Sequence, residues 1–195
     1  MEIDREQELI ARALRGDLRA YGALVKRYEE RLFYTVYRIL HHREDAEDCL
    51  QEALIKAWEE RSSLRDPTSF KAWLYRVLSN TALDRLRGTK RHNEALESYR
   101  NEALQFPKVA GATPREALRL ARQAERIENA IDGLAPKQKV VFVLRHFQGL
   151  KLGEIAEVLD CPVGTVKATL HAALGKLRKT LLSDRERERR NEWSA

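Results

Sequence analysis

A chain of 195 residues, 43% of them hydrophobic, can bury one or two modest cores, which argues against a large single-core fold. The 36 Lys and Arg against 30 Asp and Glu give a net charge of +6, which favours a polyanionic partner, and the two cysteines, Cys49 and Cys161, argue against a disulfide framework and for a reducing cytoplasm. The five histidines lack Cys or His neighbours at metal-ligand spacing, the start MEIDREQELIARAL is too charged for a signal peptide, and no apolar run approaches the roughly 20 residues that span a bilayer. No metal, no cofactor and a soluble cytoplasmic protein are therefore expected.

Residues Asp4 to Leu14 read as a short helix, and Gly16-Asp17 restarts a longer one with Tyr21, Leu24, Val25, Tyr28, Leu32, Val36 and Leu40 on one face. His41 to Glu44 is a polar break. A third helix follows, with Ala46, Leu50, Ala53, Leu54, Ala57 and Trp58 on one side and acidic residues on the other. Pro67 interrupts the loop from Glu60 to Thr68, and Thr68 or Ser69 can cap a fourth helix that runs to about Arg87. Its apolar face is Phe70, Trp73, Leu74, Val77, Leu78 and Thr81, while Arg76, Asn80, Asp84 and Arg87 form a polar stripe. Charge is divided sharply here. His41 to Glu60 holds seven acidic and two basic residues, a balance of −5, and Lys71 to His92 holds six basic and one acidic, a balance of +5. The two segments are expected to face different partners.

Periodicity lapses after Gly88 in a stretch mixing Gly, Pro, Asn and charge, which reads as a linker. Helical patterning returns from Arg115 to Ile131, ended by Gly133, and again from Pro136 to Phe147, with Val140, Val141, Val143 and Leu144 as its core and Gly149 closing it. The terminal SDRERERRNEWSA is expected to be a solvated, fraying end. The fold class is all-α: two small helical domains, residues 1–88 and 115–195, joined by a flexible linker over 89–114. Both thiols are expected to be buried.

The most informative stretch lies between Leu144 and Leu181. Ile155, Ala156 and Leu159 recur at helical spacing, Cys161-Pro162 breaks the run, and Val166, Leu170, Ala173 and Leu177 resume it in a new phase. This is a helix-turn-helix pattern. Gly164-Thr165 opens the second helix and leaves Thr165, Lys167, Ala168, His171 and Ala172 away from the apolar seam, where they could enter a major groove. Lys167, Lys176, Arg178 and Lys179 could neutralise phosphates.

Four blocks, AYGALVKRYEERLFYTVYRIL, REDAEDCLQEALIKAW, SFKAWLYRVLSNTALDRLRGTKR and LAPKQKVVFVLRHFQGLKLGEIAEVLDCPVGTVKATL, resemble in order those of the bacterial extracytoplasmic-function sigma factors. These are two-domain specificity subunits of RNA polymerase. The resemblance implies that Asp45, Asp48, Gln51 and Glu52 bind the polymerase core. It implies that Arg76, Arg85, Arg87, Lys90 and Arg91 hold the phosphates of the minus-ten element, that Asn80 also contacts this DNA, and that Asp84 orients its neighbours. It further implies that Ser62, Ser63, Leu64 and Arg65 wall a pocket for a flipped base, whereas Trp73 at apolar spacing reads as core.

The helix-turn-helix would then read the minus-35 element through Thr165, Lys167, Ala168, Thr169, His171 and Lys176. It departs from the common family pattern, since Ala168-Thr169 and Ala172 stand where cations are frequent, which shifts the expected contacts to Thr165, Lys167 and His171. The expected partners are core RNA polymerase, promoter DNA and an anti-sigma factor, often membrane-anchored in this family. No small-molecule substrate and no catalytic site are expected. The rival reading is a dimeric helix-turn-helix regulator of operator DNA, which leaves the acidic third helix without a role.

Overall fold

The computed structural model describes residues 2–92 and 113–192, and the described residues are all-helical. Helix α1 (Glu2–Leu14) turns at Gly16, whose φ of 93° suits a residue without a Cβ. Asp17 caps α2 (Leu18–Leu40) by accepting from the amides of Arg19 and Ala20. His41 ends α2 in the left-handed region, and His42 caps α3 (Arg43–Glu59) through its ring. Two short 3-10 turns, Arg61–Ser63 and Pro67–Ser69, lead into α4 (Phe70–His92). Asp66 caps the second turn by accepting from the Thr68 amide. Helix α4 also continues past Gly88, and most of the expected linker lies outside the described residues.

The second unit begins with α5 (Pro114–Asp132), whose start is fixed by a reciprocal Thr113 and Glu116 capping box. Helices α6 (Pro136–His146) and α7 (Leu152–Leu159) follow, then α8 (Val163–Glu192). The last departs from expectation, because the charged terminal run continues the helix. Glu and Arg are strong helix formers, and alternating them costs the helix nothing.

Leu24, Leu32, Val36, Ile39, Ala46, Cys49, Ala53, Leu74 and Leu78 fill the centre of the first four helices. Val140, Val143, Leu144, Ile155, Val158 and Val166 fill the second unit, and Ile131, Leu134, Ala173 and Leu177 form a smaller cluster where α5 meets α8. The two large sets are contiguous: α4 packs on α7, and both α2 and α4 pack on α6. At this seam the buried Tyr75 hydroxyl lies 3.2 Å from Gln148 Oε1, and Arg76 donates to the Glu157 carbonyl at 3.2 and 2.7 Å.

Cys49 is fully buried and its thiol is pushed up to about 11 by burial. Cys161, expected to be buried as well, is half-exposed, because it follows the left-handed Asp160 at the end of α7 where the chain turns outward.

Candidate nucleic-acid and polymerase interfaces

The outer face of α3 presents Asp48, Gln51 and Ile55 to solvent, with Asp45 and Glu52 half-buried beside them. Lys56 pairs with Glu52 at 2.7 Å, and this bond is the main reason the Glu52 carboxyl is held below its ordinary value. Arg85, expected on promoter phosphates, is turned toward α3 in the free chain. It reaches back from α4 to Asp45, Asp48 and Glu52 at 3.7, 3.6 and 3.5 Å and donates to the Asp45 carbonyl at 3.2 Å. The physical reason is topological. An acidic helix and a basic helix joined by a short loop must lie side by side, so part of the charge division read as two partners is internal neutralisation.

The loop between α3 and α4 is built rather than slack. Arg61 lies 4.2 Å over the Trp58 ring and donates to the Trp58 carbonyl at 2.8 Å. Ser62, Ser63 and Arg65 are exposed, and Leu64 is half-buried against the core. Trp73 is a core residue, as its spacing implies, but its indole N–H also donates to Ser63 Oγ at 3.2 Å, a tie that spacing could not reveal.

Along α4, Arg76 is engaged with α7, Asn80 is exposed, and Arg87 pairs with Asp84 at 3.2 Å. The backbone of Lys90 and Arg91 belongs to the last turn of α4, while their side chains lie outside the described residues.

In the helix-turn-helix, Asp160 takes a φ of 48° at the end of α7, and the Cys161 amide returns to the Ala156 carbonyl at 3.0 Å. Ile155, Val158 and Val166 are buried between α7 and α8. This leaves Thr165, Lys167, Ala168, His171 and Ala172 exposed on one face and Thr169 at its edge. Lys176, expected on the groove face, donates in the free chain to the Gly133 carbonyl at the end of α5.

Asn80, Asp84 and Arg87 from one unit and Cys161, Thr165 and Thr169 from the other line a single groove of about 380 Å³. Two sets of side chains expected on two separate promoter elements are thus brought face to face. Sequence reasoning also missed the half-buried cluster of Arg38, His41, Glu128 and Asp132 at the seam. Its only trace was two carboxylates near the end of α5, where a helix dipole disfavours them.

Residues 24–92 match the sigma-70 region 2 family and residues 124–177 match sigma-70 region 4. The RNA polymerase sigma-H factor of Pseudomonas aeruginosa is 31% identical over 182 residues, covering 91% of this chain and 94% of that protein. The ECF RNA polymerase sigma factor SigW of Bacillus subtilis is 32% identical, covering 88% of this chain and 94% of that protein. This chain belongs to the extracytoplasmic-function sigma factors of the sigma-70 family. A sigma factor directs transcription initiation and performs no catalysis itself, and the acidic helix that the operator-binding rival left without a role lies within the matched region 2. The structure of CnrH in complex with the cytosolic domain of CnrY superposes with a TM-score of 0.66 at 26% identity, covering 92% of this chain and 99% of that one. Sigma factors bind RNA polymerase and promoters, and no helix among the described residues is long and apolar enough to cross a membrane.

Proposed function

We propose that this sigma factor divides its work among three surfaces. The acidic face of α3, with Asp45, Asp48, Gln51 and Glu52 around the exposed Ile55, docks on a basic helical element of core polymerase. Its exposed apolar centre and acidic rim have the chemistry of a protein interface. Arg85 serves this surface by holding the carboxylates in place.

The loop of Ser62, Ser63, Leu64 and Arg65 captures a base flipped from the minus-ten element, and Arg76, Asn80, Arg87, Lys90 and Arg91 hold the adjoining strand. Phosphate contacts set position and the loop sets preference. Thr165, Lys167, Ala168 and His171, with Thr169 at the edge, read the minus-35 element. The observations that carry this reading are the exposed, small-residue face of α8 and, on the other unit, a loop in which Trp73 holds the Ser63 hydroxyl from below.

An anti-sigma factor is the further partner. CnrH, the related structure, is in complex with the cytosolic domain of CnrY, and the groove between the two units of this chain is of a size to take a side-chain row of such a partner.

The test is transcription by reconstituted holoenzyme on promoters randomised at both elements. Arg87→Ala should lower output on all sequences alike, paired changes at Ser62 and Ser63 should shift the base selected at one minus-ten position, and Asp48→Lys with Glu52→Lys should weaken core binding in a folded chain. An unchanged minus-ten preference in the loop variants removes base capture from that loop.

A further inference from the structure

Two features at the seam between the units are unfavourable for their own helices. Glu128 and Asp132 lie near the C-terminal end of α5, where the dipole opposes negative charge. His41 ends α2 with a φ of 55°, a region that residues with a Cβ seldom adopt. Both are accounted for by what they face. His41 Nδ1 lies 2.8 Å from Asp132 Oδ2, and His41 Nε2 lies 3.1 Å from Glu128 Oε2, close enough for an ion pair though not aligned as a hydrogen bond. Arg38, one turn back on α2, pairs with the other oxygen of Glu128 and stacks 4.6 Å over Phe147. Lys139 of α6 donates to Asp132 at 2.7 Å. The side chains of His41, Glu128 and Asp132 are only 14%, 13% and 19% exposed, so salt screens them little.

From this geometry we infer that His41 and Arg38 form with Glu128 and Asp132 a charge latch that holds the two units of the free protein shut against each other. Both ring nitrogens lie within ion-pair distance of a carboxylate oxygen, a setting that favours the doubly protonated, charged imidazole. The charged groups around the ring are Glu128 and Asp132 from α5, Arg38 from its own helix and Lys139 from α6. The charge on the ring therefore belongs to the closed form, and raising the pH removes it.

Closure conceals function. Asn80 and Arg87 share one groove with Thr165 and Thr169, whereas promoter elements about 25 base pairs apart are separated by about 85 Å of duplex. The closed form cannot reach both elements, so apparent affinity falls by the fraction of molecules that are shut. This consequence rests on the promoter assignments above; the latch does not.

The full chain tests it by small-angle X-ray scattering, with circular dichroism as the folding control and promoter binding in the presence of limiting core polymerase as the functional readout. His41→Asn keeps a residue that tolerates the left-handed region, and Glu128→Gln removes the charge from the other unit without changing shape. Each variant is expected to raise the radius of gyration by about a fifth or more and to tighten promoter binding about threefold or more. The unmutated chain should open in the same way between about pH 6 and pH 9 while His41→Asn does not respond. Folded variants with an unchanged radius overturn the latch. If the variants do not fold, a radius of the unmutated chain that is constant across this pH range overturns it. Opening without tighter binding overturns the regulatory consequence and, with it, the assignment of the groove residues to promoter contact.

Discussion

One N–H ties the core of the first unit to the loop proposed to capture a base. Trp73 fills the space between Phe70 and the loop, with ring centroids of Phe70 and Trp73 5.9 Å apart, while its indole nitrogen holds Ser63. Trp73→Phe keeps an aromatic ring in that space and removes the donor. Its expected cost is about 0.5–1.5 kcal/mol, the net value of one hydrogen bond, together with a changed or weakened minus-ten preference and unaltered core binding. Thermal melting and a selection on randomised promoters measure the two effects, and a preference identical to that of the parent chain would mean that Ser63 is placed by the backbone alone. His171 is the opposite case, exposed on α8 with nothing to support. His171→Ala should leave the melting temperature in place and relax preference at one minus-35 position, costing about 1–3 kcal/mol against the cognate sequence. A drop in melting temperature with preference intact would return His171 to a packing role.

At the scale of the helices, what was legible followed from periodicity. Tyr21, Leu24, Tyr28, Leu32 and Val36 were readable as one buried face because residues three and four apart share a side, and the break at Cys161-Pro162 located the turn of the helix-turn-helix. What periodicity does not encode is the partner of a polar face. Arg85 lies on the same basic helix as Arg87, and nothing in spacing separates a side chain that turns to α3 from one proposed to meet DNA. The distinction is testable. Arg85→Ala should cost less than about 1 kcal/mol in stability, as expected for a partly exposed ion-pair network, and should weaken core binding while leaving the salt dependence of promoter binding unchanged. A shallower salt slope in promoter titrations would instead give Arg85 a phosphate. Lys176 illustrates the same limit, since a cation on α8 could face a groove or the end of α5 and the sequence states only its charge.

For the whole molecule, the sequence described two units and could not describe their meeting, because residues that touch across the seam are as far apart in the chain as Arg38 and Glu128. The seam should give the protein a preferred pH window. Burial works against charge on His41, but the carboxylates of Asp132 and Glu128 beside it outweigh this and hold it above the ordinary 6.5. Burial likewise opposes the charged forms of Glu128 and Asp132, yet His41, with Arg38 beside Glu128 and Lys139 beside Asp132, holds both below their ordinary 4.5 and 3.8. The histidine contribution is complete below 6.5 and is lost as pH rises through its raised value. The carboxylate contributions are present above 4.5 and 3.8 and are lost as pH falls through the depressed values. Calorimetry should accordingly record one joint unfolding transition near pH 6 and two separating ones near pH 9; a single transition at both would show that apolar contact alone couples the units. The placement of the two cysteines supplies a reporter that needs no substitution. Cys49, sealed in the core with its thiol pushed up to about 11, should stay inert to alkylation in the native protein. Cys161 stands on the wall of the groove between the units, so its modification rate becomes a clock for the seam, running faster on addition of core polymerase or at alkaline pH beyond the acceleration a small free thiol shows, and stopping when a partner fills the groove.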